Sequence, residues 1–76
     1  MDLGSRIARW RVAKGLSRQD LARSVGVSAA AVYQWEGSGA KQTSPSVAHL
    51  EQIVRALGMT MAEFYGRTPP RKREAA

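Results

Sequence analysis

The sequence predicts an all-α domain of five short helices. Three tripeptides, Gly15-Leu16-Ser17, Gly26-Val27-Ser28 and Gly58-Met59-Thr60, repeat the order glycine, apolar residue, hydroxyl residue. Glycine ends a helix in the left-handed conformation, the apolar residue packs back on that helix, and the hydroxyl caps the next one. Two of these caps have an acid three residues on, Asp20 after Ser17 and Glu63 after Thr60, as a capping box requires. Between the punctuation points apolar residues recur at helical spacing, with no strand pattern and no internal repeat.

The elements follow in order. A first helix from about Leu3 to Lys14 carries Leu3, Ile7, Trp10 and Lys14 at helical spacing. A second, about Arg18 to Val25, turns Leu21, Ala22 and Val25 inward, and a third, about Ala29 to Glu36, turns Val32 and Trp35 inward. A loop rich in Gly, Ser, Thr and Lys runs from Gly37 to Ser44. A fourth helix is expected to begin near Pro45-Ser46, since proline is tolerated in a first turn, with a stripe of Val47, Leu50, Ile53/Val54 and Leu57. A fifth spans about Met61 to Tyr65. After Gly66 the stretch RTPPRKREAA has no apolar period. Residues 1–66 therefore read as one domain and residues 67–76 as a basic, Pro-containing disordered tail.

Seventy-six residues suffice for one small core that depends on economical helix packing or on a partner subunit. The chain has no cysteine, so it has no disulfide framework and no thiolate metal site, as suits a reducing cytoplasm. No apolar run approaches the roughly 18 residues that span a membrane, and the start of the chain lacks a signal-peptide pattern. A soluble, cytoplasmic protein with no membrane partner is expected. The formal charge is +6. The excess gathers in the first 35 residues, where Arg6, Arg9, Arg11, Lys14, Arg18 and Arg23 face Asp2 and Asp20. It gathers again in the tail, where Arg67, Arg71, Lys72 and Arg73 face Glu74. A polyanionic partner favours such clustering, and so does a merely solvated surface.

Only Gly26, Val27 and the cap Ser28 join the second and third helices. In RQDLARSVGVSAAAVYQWEG each spacing has a steric reason. Ala22 is small because the third helix crosses close over it. Gly26 takes a conformation that a β-carbon disfavours. Val25, Val32 and Trp35 fill the wedge between the crossing helices. This is the helix-turn-helix pattern, whose second helix enters the major groove.

From Leu3 to about Phe64 the chain resembles the Cro/repressor-type helix-turn-helix family, also called the xenobiotic-response-element family. The match runs through RIARWRVAKGLSRQDLARSVGVS, VYQWEG and PSVAHLEQIVRALGMTMAEF. The resemblance implies a lambda-repressor-like five-helix domain and a transcriptional regulator, a repressor, that binds double-stranded DNA with its third helix in the major groove. It implies a bacterial or phage protein, associated with the nucleoid when bound. It also implies an ion pair between Arg11, late in the first helix, and Glu36, ending the third.

With Val32 and Trp35 inward, the outward face of the third helix is Ala30, Tyr33, Gln34 and Gly37, led by Ser28 and Ala29. By resemblance Ser28, Ala29, Ala30, Tyr33, Gln34 and Arg18 are the base-contact candidates, and Ser17, Arg18, Gly37, Lys41 and Thr43 the phosphate-contact candidates. Gln34 suits adenine by bidentate pairing, and Arg18 offers a fork to guanine or phosphate. The run Ala29–Ala31 departs from the polar residues that many relatives carry there. Alanine can pack on the thymine methyl, clear the groove wall, or serve only as the best helix former. Ala31, which points sideways, fits that last role.

No nucleophile motif, phosphate loop or metal cluster is present, so the sequence predicts neither an enzyme nor a cofactor or metal. His49 reads as an ordinary helix residue. With no effector domain, small-molecule sensing is not expected. A homodimer on paired half-sites is, with Phe64 and Tyr65 as candidate dimer contacts. The competing reading is a helix-turn-helix that binds protein, as in an antitoxin or a phage regulator. An acid-free face around Arg18, Gln34 and Lys41 argues for DNA instead.

Overall fold

The computed structural model describes residues 2–37 and 43–69. These form five helices, α1 (Leu3–Ala13), α2 (Arg18–Val25), α3 (Ala29–Trp35), α4 (Val47–Ala56) and α5 (Met61–Gly66), with no strand among the described residues. All three tripeptides work as their chemistry dictates. Ser17, Ser28 and Thr60 are N-caps whose hydroxyls accept from the amides of Asp20, Ala31 and Glu63. Leu16, Val27 and Met59 fold back against the core. Gly26 has φ +85°, and its N–H donates to the Ala22 carbonyl at 2.8 Å, which closes α2 and turns the chain into α3.

The core is a single cluster. Ile7 and Trp10 come from α1, Leu21, Ala22 and Val25 from α2, Val32 and Trp35 from α3, Leu50, Ile53 and Val54 from α4, and Phe64 from α5, with Leu57 just after α4. Helix α2 packs on α3 and α4, and α4 packs on α5. Ala22 is buried in the core on α2.

Several expectations need correction. Lys14 is not part of the buried stripe of α1. It is the exposed C-cap, and its ammonium lies over the Trp10 ring at 5.8 Å. Pro45 is not in the first turn of α4, because Ser46 takes the N-cap position and its hydroxyl accepts from the His49 amide at 3.1 Å. Val47, placed in the apolar stripe, is 75% exposed, since it starts the helix one turn before the core begins at Leu50. Phe64, a candidate dimer contact, is wholly buried and completes the core, so it has no surface to offer a partner.

Two contacts of α1 had no place in the sequence reading. A β-carbon at Gly4 would lie 2.6 Å from the Trp35 carbonyl oxygen, so this glycine lets the start of α1 rest on the end of α3. Arg6 donates from Nη1 to the carbonyls of Phe64 and Arg67, both at 2.9 Å, and its guanidinium lies 5.8 Å from the Tyr65 ring centroid. It ties the last turn of α5 to α1, where a cation also suits the negative end of the helix. Beyond Gly66, Pro69 is also buried.

Candidate nucleic-acid interface

The exposure of α3 divides as its 3.6-residue period requires. Val32 and Trp35 are buried and Ala31 packs on the core, while Ser28, Ala29, Ala30, Tyr33 and Gly37 are exposed and Gln34 is half-buried. The His49 ring of α4 lies beside Trp35 with centroids 5.4 Å apart, on the inner side of α3. The leading edge of α3 is thus bare backbone and methyl groups, followed by one amide and one phenol.

Glu36 is the only acid of this segment, and its carboxylate is turned away from solvent, with a side chain 1% exposed. Arg11 donates to it twice, from Nε to Oε2 at 2.6 Å and from Nη2 to Oε1 at 3.3 Å. The remaining nitrogen of Arg11, Nη1, donates to the Leu16 carbonyl at 2.8 Å, so the guanidinium also fixes the turn before α2. A second arginine reaches the same carboxylate. Arg18 donates from Nε to Glu36 Oε1 at 2.9 Å, and its guanidinium carbon lies 5.1 Å from the Tyr33 ring centroid. The expectation that Arg18 has no acid near it is therefore wrong. Glu36 was assigned to Arg11 alone, yet a carboxylate accepts along four lone-pair directions and can serve two forks.

At the start of α2, Ser17 and Asp20 form a reciprocal capping box. The Ser17 hydroxyl accepts from Asp20 N, and the Asp20 carboxylate accepts from Ser17 N, both at 3.0 Å. The backbone N–H of Ser17 holds the Asp20 carboxyl below the usual carboxylate range. The Ser17 hydroxyl donates to no group among the described residues, while its amide is already engaged. Gly37, another phosphate candidate, has its amide committed to the Gln34 carbonyl at 3.0 Å and so has no free donor. Thr43 is exposed. Lys41 lies outside the described residues. Tyr65 is half-exposed on α5, with Met61 one turn before it.

Among the described residues no group of three or more His, Asp and Glu is arranged to hold a metal ion. No described helix is long and apolar enough to cross a membrane.

Two helices joined by a glycine turn, the second presenting an acid-free outer face, define a helix-turn-helix protein. The chain matches the Helix-turn-helix family model over residues 7–64 and belongs to that family, the Cro/C1-type regulators that bind DNA. Among curated proteins no match is found.

Proposed function

We propose that the chain is a sequence-specific regulator of transcription that represses by occupying its operator, with α3 in the major groove. The observation that carries this reading is the outer face of α3. It presents small residues, one amide and one phenol, and its only acid is buried in an ion pair. Small leading residues let a helix sit deep in a groove about 12 Å wide, and alanine methyls pack on thymine methyls. Gln34 then supplies the hydrogen-bonded reading, with adenine as the base that matches its paired donor and acceptor. The Ser17 hydroxyl, Thr43 and Lys41 are assigned to phosphates, which set register without reading sequence. Tyr65, with Met61 beside it in place of Phe64, is the surface through which two copies pair on adjacent half-sites.

Selection of bound duplexes from a random pool tests the reading. The expected result is an enriched motif of two related half-sites. Against that motif Gln34→Ala should lose about 1–3 kcal/mol of base preference at one position per half-site and leave the others unchanged. No enrichment, together with no binding to any duplex at low salt, would overturn the reading in favour of a protein-binding helix-turn-helix.

A further inference from the structure

Arg18 and Tyr33 stand on different helices, yet they meet beside a carboxylate that cannot move. Glu36 is buried and held by Nε and Nη2 of Arg11, so its Oε1 is a fixed acceptor. Arg18 spends only its Nε on that acceptor, at 2.9 Å, and its side chain remains 42% exposed. The flat guanidinium also lies against the Tyr33 ring, 5.1 Å from the centroid. Its Nη1 and Nη2 make no hydrogen bond among the described residues, and Tyr33 belongs to the outward face of α3.

We propose that Arg18 and Tyr33 form one composite reader of guanine, anchored by Glu36. This rests on the DNA-binding reading above and deepens it. Guanine shows two acceptors, O6 and N7, on its major-groove edge, and two parallel N–H groups of one arginine match them. A free arginine loses rotamer freedom when it makes that contact. Here Glu36 restrains one edge of the guanidinium and Tyr33 one face before any DNA arrives, which lowers the cost of ordering. Phosphate is the weaker assignment for the same group. The cluster of two arginines and one carboxylate keeps a net positive charge that would attract any anion, so what Glu36 adds is the fixed direction of the two remaining N–H groups, which suits a base edge more than a phosphate. The stacking partner also belongs to the helix assigned to the bases, not to the backbone-facing loop. Tyr33 thus acts as a positioning residue for Arg18, through its ring and not its hydroxyl.

The test is fluorescence anisotropy with the selected motif and its single-base variants, using wild-type protein and the exposed-site variants Arg18→Lys, Tyr33→Phe and Tyr33→Ala. Wild type should prefer guanine at one position of each half-site, on the order of tenfold to a hundredfold. Arg18→Lys keeps the charge but not the fork, and should abolish that preference. Tyr33→Ala should reduce it at that position alone, and Tyr33→Phe should retain it. Circular dichroism checks that each variant is folded. A wild-type motif with no preferred guanine would overturn the inference while leaving the regulator reading intact. So would a guanine preference that survives Arg18→Lys, or an equal loss of affinity on every sequence with Tyr33→Ala. A wild-type protein with no sequence preference at all would end both.

Discussion

Glu36 gathers two arginines whose contributions differ because their burial differs. Arg11 is 11% exposed and engages the carboxylate with two nitrogens, whereas Arg18 is 42% exposed and uses one. Breaking a buried pair costs on the order of 3–5 kcal/mol, and without Arg11 the buried Glu36 keeps only the half-exposed Arg18 as counter-charge, which places the loss toward the lower end. Surface pairs contribute about 0–1 kcal/mol. Arg11→Ala should therefore lower the unfolding free energy by several kcal/mol in urea titrations, and Arg18→Ala by no more than about 1 kcal/mol. Equal losses would mean that Arg18 is structural and not poised for a ligand. Gly4 makes a sharper case, because local and tertiary effects oppose each other. Alanine in place of glycine favours a helix by about 1 kcal/mol. Here its β-carbon would meet the Trp35 backbone oxygen at 2.6 Å, and backbone cannot step aside as a side-chain tip can. Overpacking typically costs about 1–3 kcal/mol. Gly4→Ala should thus reduce the melting temperature, whereas helix propensity taken alone requires a rise.

At the scale of the element, stability rests on helix ends. Helices of six to eleven residues are too short to persist alone, so caps and packing must supply what cooperativity does not. Asp20 and Glu63 close the two capping boxes, and each carboxyl is held below its usual range by the backbone N–H of its cap residue, Ser17 and Thr60. Asp2 is lowered likewise by the Ser5 amide. A carboxyl whose native pKa is lowered stabilises the fold above its unfolded value, and that contribution vanishes as pH falls through the native value. Thermal stability should therefore be level on the acidic side of neutrality and decline below about pH 4, where unfolded carboxyls begin to protonate. Asp20→Asn combined with Glu63→Gln should flatten part of that decline in melts recorded across pH. Arg6 acts at the same scale by joining α5 to α1 through two carbonyls. Hydrogen bonds from a charged donor contribute about 1.5–3 kcal/mol. Arg6→Ala should cost roughly that in urea unfolding, and α5 amides should lose their protection from hydrogen exchange first.

For the whole molecule, size and charge set the mode of binding. One copy carries a single α3 of seven residues, so in the proposed mode it reads one of two half-sites roughly 34 Å apart. Reading two requires a second copy, for which the half-exposed Tyr65 is the proposed contact. Tyr65→Asp should leave the melting temperature nearly unchanged while making binding to the paired site non-cooperative in gel-shift titrations. The formal charge of +6 acts over the same scale. Arg6, Arg11 and Arg18 spend part or all of their donors inside the fold, so the available charge is smaller than the count suggests. Among the described residues Arg9, Arg23 and Arg55 are exposed and pair with no carboxylate, so they remain to meet a polyanion. Affinity for random duplex should still fall steeply with salt, by about 10³–10⁵ between roughly 50 and 200 mM for a dimer that makes about 6–10 phosphate contacts.

The sequence by itself determined the five helices, the turn chemistry between them and the side of α3 that faces the core. Those features are written in residues close along the chain: a glycine, an apolar residue and a hydroxyl in order, or apolar side chains every three to four positions. Only the tertiary structure decided that Gly4 lies against Trp35, that Arg6 clamps α5, and that Glu36 serves Arg18 as well as Arg11. A glycine inside a helix was the one visible hint of the first, and nothing local hinted at the others. Each joins residues on separate helices, at distances set by how the whole core packs. The same holds for Phe64 and Val47, two apolar residues alike to any periodic reading. One is enclosed by the other helices and the other stands a turn beyond the core, and no pattern along a single helix records where its neighbours end.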